Sequence, residues 1–154
     1  MKKAGWIVLF ALVPCLAAAG PIAPAAPHAA SFAAAETNGN SFGYEVLKNP
    51  LGKLVLSLRV EVAASGLHLG VSLYPPKVVN TLEEGRHFAF PLKSGLFTKE
   101  FEIDPSFEGG TFEAAVWTQR LSKDQVPADD AVARKLGYKL TGMAAYIWGV
   151  LRAR

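Results

Sequence analysis

The sequence predicts a mainly β fold: an antiparallel sandwich or a small open barrel, with one short helix in a late connection. Three observations carry this. Apolar residues recur at every second position in several separate stretches, the period of a half-buried strand. Glycine and proline turn signals separate those stretches. The 154 residues are 51% hydrophobic and 19% charged, a balance that suits one domain with a modest core and excludes a wholly disordered, collagen-like or coiled-coil chain.

The first nineteen residues read as an address. Lys2 and Lys3 precede an uncharged apolar run from Ala4 to Val13, and small residues (Ala17, Ala18, Ala19) follow. Basic start, short apolar stretch and small-residue end are the three parts of a secretory signal peptide. Pro14 interrupts the apolar run, which is shorter than the roughly 20 residues a bilayer core needs. Cleavage after Ala19 is expected, giving a periplasmic or secreted product with no transmembrane span. Lipid anchoring at Cys15 is the lesser alternative, because Pro14 stands where a small residue belongs. Loss of Lys2 and Lys3 brings the chain from 16 basic and 13 acidic side chains to 14 and 13. That near-neutral balance gives no ground for a nucleic-acid partner, which needs a clustered basic face. Cys15 is the only cysteine, so the processed chain has no disulfide, thiolate nucleophile or thiolate metal ligand. Residues 20–40 are Pro- and Ala-rich and read as an extended tether; residues 41–154 form the single β-rich domain.

Within that domain, 53–62 alternates cleanly. Leu54, Leu56, Leu58, Val60 and Val62 fall on one side, and Lys53, Ser57, Arg59 and Glu61 on the other. A short link, 63–66, precedes a second alternating run with Leu67, Leu69, Val71 and Leu73, and the two read as a long hairpin. Pro75 and Pro76 end it. Three shorter strands are expected next. Phe88, Phe90 and Leu92 mark one. Phe97, Phe101 and Ile103 mark another, with Lys99 breaking its apolar face. The third, 111–121, carries Phe112, Ala114 and Val116 on one face and Ala115 and Trp117 on the other, so both faces are expected to be covered and the strand to be central.

Pro127 to Asp130 reads as a helix start, with Arg134 and Lys135 a turn later and Gly137 as the stop. Residues 138–151 fit two templates. Leu136, Leu140, Met143, Ile147 and Leu151 share a helical face, but Gly137, Gly142 and Gly149 each cost about 1 kcal/mol in a helix interior, and Tyr146, Ile147, Trp148 and Val150 favour a strand. A final strand is the stronger reading, with 111–121 as a candidate partner. Immunoglobulin-like topology is the commonest arrangement of such strands, although the cysteine pair and core tryptophan spacing of true immunoglobulin domains are absent, and architecture alone implies no function.

Few residues carry chemistry. His28, His68 and His87 show no close ligand spacing; His68, His87 and Met143 are weak candidates for a soft-metal site. Glu83 and Glu84, Glu100 and Glu102, and Asp129 and Asp130 read as solvated charges rather than a catalytic carboxylate pair. No serine sits in a nucleophile elbow, and Gly109-Gly110-Thr111 lacks the features of a phosphate loop. No catalytic residues and no cofactor are therefore expected. The aromatic residues are the better lead: Tyr74, Trp117 and Trp148, with Tyr138 and Tyr146, fit an outward strip able to stack on a sugar or on a partner's apolar surface.

The reading that follows is an exported, non-enzymatic module that binds a protein or glycan partner in the bacterial envelope or outside the cell, in an accessory, assembly or adhesion role. The alternatives are a small-ligand or carbohydrate binder using Tyr74, Trp117 and Trp148, and a periplasmic metal-handling protein.

Overall fold

The computed structural model describes residues 39–77 and 84–153. The leader, nearly all of the tether, Cys15 and His28 lie outside those residues. Seven strands follow one another: β1 (Ser41–Lys48), β2 (Leu54–Val62), β3 (Leu67–Tyr74), β4 (Arg86–Leu92), β5 (Gly95–Glu102), β6 (Thr111–Ser122) and β7 (Tyr138–Val150). Among the described residues the one α-helix, α1 (Ala131–Leu136), lies in the connection between β6 and β7. The strands form two antiparallel sheets, ordered β1-β2-β5 and β4-β3-β6-β7. A constant-type immunoglobulin sandwich has its fourth strand beside strands 1, 2 and 5; here the fourth strand joins 3, 6 and 7.

The alternation read from the sequence decides which side chains meet between the sheets. Leu56, Leu58 and Val60 of β2 face Leu69, Val71 and Leu73 of β3 and Phe112 and Val116 of β6, and all are nearly solvent-free. A phenylalanine cluster closes one side of the core. Phe88 and Phe90 of β4 meet Phe101 of β5 at centroid distances of 5.2 and 6.0 Å, and Phe90 meets Phe97 at 5.9 Å. Lys99, the break in that apolar face, places its ammonium 5.6 Å from the Phe90 ring centroid and remains exposed. The polar interruption is thus accommodated by a cation–π contact at the sandwich edge.

The hairpin expected over 53–74 does not form. β2 pairs with β1 and β5, whereas β3 pairs with β4 and β6. Residues 63–66 instead arch from one sheet to the other. Period two states which side of a strand is apolar; it does not state whether the next strand lies beside it or opposite it. The true neighbour of β2 is β1, whose pattern is too irregular to read as a strand: Phe42, Gly43 and Val46 are buried while Tyr44 and Glu45 are half-buried. The short strands at 86–92, 95–102 and 111–122, the helix and the final strand all form as expected, and β6 is an inner strand.

Gly149 shows how closely the sheets approach. It pairs with Phe112 on the inner side, and a Cβ there would lie 2.6 Å from the Phe112 ring and 2.9 Å from the Tyr44 ring. Those two rings stack edge-to-face at 4.8 Å across the sandwich. Neither can yield without parting the sheets, so Gly149→Val is expected to destabilise the domain by about 1–3 kcal/mol. A lowered urea midpoint with an unchanged slope is the readout.

Candidate binding cleft

With Phe112, Ala114 and Val116 turned into the core, the intervening residues of β6 face away from it. Cross-strand register carries this outer face across the whole four-stranded sheet. One row runs His87, Ser72, Glu113, Trp148; the next runs Ala89, Gly70, Ala115, Tyr146; the next runs Pro91, His68, Trp117, Met143. The middle row is low at its centre, because Gly70 and Ala115 contribute almost no side chain. Trp117 leans into that depression: a Cβ on Gly70 would lie 2.9 Å from the indole Nε1 and 2.7 Å from Leu140 Cδ1.

Leu140 reaches Gly70 because the β6–β7 ribbon is irregular. Val116 pairs with Ala145 but Trp117 pairs with Met143, so Ala144 is an extra residue on β7. Gly142 follows with φ of 70°, a left-handed conformation that glycine adopts without cost. A Cβ at Gly142 would also overlap the Thr118 hydroxyl. Beyond this bulge, Tyr138 and Leu140 line the outer face. The connection back to β7 adds α1 as a partial roof. Asp130 caps α1 by accepting a hydrogen bond from the Ala133 N–H at 3.0 Å, and Gly137 closes it in the left-handed conformation. Floor, ribbon and roof enclose a cleft of about 400 Å³.

The walls are mostly apolar: Ala115, Trp117, Val132, Leu136, Leu140 and Met143 all take part. The polar groups fall into three sets. Lys139 Nζ donates to Asp130 Oδ2 at 2.6 Å. That bond, with the Ala133 N–H, holds the Asp130 carboxyl below its ordinary value of 3.8. Ser72 Oγ lies 2.9 Å from His87 Nδ1. Tyr146 donates its hydroxyl to Glu113 Oε1 at 3.2 Å. Burial and the neighbouring Glu113 carboxylate push the Tyr146 phenol upward, and burial raises Tyr74 as well.

Ser72 and His87 touch as a nucleophile and its base do, but the register does not make Glu113 a third member. Glu113 sits on the other side of Ser72 from His87, two strand spacings or roughly 10 Å from the imidazole strand. It is not placed to orient the ring, as the third member of a triad must.

The structure brings the aromatic candidates onto one face but gives them different roles. Tyr74 belongs to the outer face by register yet is only 6% exposed, its ring edge-on to His87 at 5.9 Å. It packs at the end of the cleft and offers no open plane. Trp117 is half-buried and forms a wall. Trp148 is 60% exposed and stands outside the cleft, in line with exposed Met143, Tyr146 and Val150 along edge strand β7. His68, His87 and Met143 also share this face, but His87 pairs with Ser72, four residues along β3 from His68, a separation of roughly 13 Å. Among the described residues no group of three or more His, Cys, Asp or Glu is arranged to hold a metal ion, and no helix is long and apolar enough to cross a membrane.

Sequence reasoning missed Glu113, Ser72 and the paired Asp130 and Lys139. Glu113 carried a signal, since it alternates with Ala115 and Trp117 on the non-core face of a strand expected to be covered on both sides. No family model matches the chain, and no curated protein and no solved structure matches it.

The roof should respond to acid. The Asp130 carboxyl titrates lower in the fold than in the unfolded chain, so its contribution is fully present above about pH 4 and is lost as pH falls through the folded value. Asp130→Asn keeps a capping side chain but loses the ionic bond to Lys139. Thermal melts should show the native protein more stable than the variant at neutral pH, with the two curves converging as pH falls through the folded-state value of Asp130.

Proposed function

We propose that the chain is an exported, non-enzymatic binding protein with an immunoglobulin-like sandwich as its frame, and that the cleft on the outer face of the four-stranded sheet holds a small amphipathic ligand. The observation that carries this is the trough itself. It is concave, about 400 Å³ in volume, floored by Gly70 and Ala115 and walled by Trp117 and Leu140. Ligand sites are typically clefts of this scale with apolar walls and a few placed polar groups.

The experiment uses the neutral fluorescent probe N-phenyl-1-naphthylamine. Its emission is expected to rise and saturate with the folded protein. Gly70→Val, whose side chain would collide with Leu140 and Trp117 and displace both walls, should weaken this by about tenfold or more, whereas Trp148→Ser outside the trough should change it less than about twofold. Equal behaviour of the two variants, or no saturable signal, removes the cleft reading.

Edge strand β7 favours a second reading, a macromolecular partner in the envelope. Met143, Tyr146, Trp148 and Val150 are between 40% and 60% exposed in one row, and aromatic and methionine side chains are enriched at protein contacts. If that row is the contact, Trp148→Ser abolishes co-purification of an envelope partner that the native protein retains, and Gly70→Val does not.

A further inference from the structure

The cleft's polar groups are unequally compensated. Asp130 and Lys139 neutralise each other at 2.6 Å. His87 is engaged with Ser72. Glu113 has only the neutral phenol of Tyr146, and among the described residues none of the ion pairs includes it. A carboxylate offers about four acceptor positions, so the bond from Tyr146 leaves most of its capacity unused. From this, and resting on the reading of the cleft as a small-ligand site, we propose that its ligand is an organic cation: an ammonium group on an aromatic or alkyl body.

The dimensions fit that chemistry. Glu113 and Trp117 lie four residues apart on β6, both facing outward, so roughly 13 Å separates their Cα atoms, and the indole leans over Gly70 to take up part of that distance. Ala115 lies between them and contributes only a methyl group; beside it on β3, Gly70 is overlain by the Trp117 and Leu140 walls. An ammonium placed at the Glu113 end donates to the free carboxylate oxygen positions, and the half-enclosed site makes that bond stronger than one in open water. The electron-rich Tyr146 ring borders the same end and attracts a cation over its face. The body then runs along Ala115 toward Trp117, Leu140 and Met143, where it meets apolar surface and an indole edge or face. An anionic head gains nothing at Glu113, and the basic group able to attract it, Lys139, is already bonded to Asp130.

Three compounds that share one body and differ only in the head test this: 3-phenylpropylamine, 3-phenylpropan-1-ol and 3-phenylpropanoate. Each is titrated against the folded protein by calorimetry, with tryptophan emission as a second readout. The amine is expected to bind about tenfold tighter than the alcohol, and the carboxylate weakest. Raising salt from about 0.01 M to 1 M should erode the amine's advantage while leaving the alcohol unchanged; this measurement needs no variant. Glu113→Gln should reduce the amine to the alcohol's level and leave the alcohol within about twofold. Equal, salt-independent binding of amine and alcohol overturns the cation inference while the cleft reading stands. Tightest binding by the carboxylate overturns it in favour of Lys139 or His87 as the head-group site. If none of the three binds, both the inference and the cleft reading fail.

Discussion

The structure depends on one contact, the pressing of two apolar sheet faces against each other with no covalent help. Cys15 is the only cysteine, so no intrachain disulfide can fasten the sandwich, and the closure must come from the aliphatic row of β2 against the rows of β3 and β6 and from the phenylalanines that bridge β4 and β5. That requirement assigns every second residue to the interior. It thereby fixes which residues are left to face outward, and the outer face of the four-stranded sheet is where chemistry becomes available.

An outer face bearing Gly70, Ala115 and Trp117 is unusual for a solvated sheet surface, where polar residues normally alternate with the core set. The ribbon of β6 and β7 provides the missing cover. Its length exceeds that of β3, its register slips at Trp117, and the left-handed backbone of Gly142 lets the far end present Leu140 and Tyr138 to the same side as Trp117. The helix α1 completes the enclosure because Asp130 serves two ends at once, capping the helix and holding Lys139 of β7. A cleft formed in this way is an incomplete second core. It is mostly apolar, open on one side, and bordered by Glu113, which makes no ion pair among the described residues.

Much of the fold was legible because period-two patterning reports burial directly. The runs at 54–62, 67–74, 86–92 and 111–122 could be read from it, and the helix could be read from Asp130 and Gly137, whose capping chemistry is local. The final strand was legible from its β-branched and aromatic residues against its glycines. β1 was not, because Gly43 and the half-buried Tyr44 and Glu45 blur its alternation. The choice between a hairpin and an arch at 63–66 was not legible either, since Gly66 suits both and the decision rests on which strand each of β2 and β3 finds elsewhere.

The amino-acid sequence alone determined which side of each strand is greasy, where the chain turns, and that the last segment favours a strand, because these follow from side-chain volume, branching and backbone freedom within a few residues. Only the tertiary structure decided that β2 and β3 lie opposite rather than adjacent, that Trp117 walls a cleft while Tyr74 is buried and Trp148 is exposed, and that Glu113 sits at the cleft's end beside a neutral phenol. Those outcomes depend on register and on a bulge that brings residues far apart in sequence onto one face, and no local pattern encodes such a meeting.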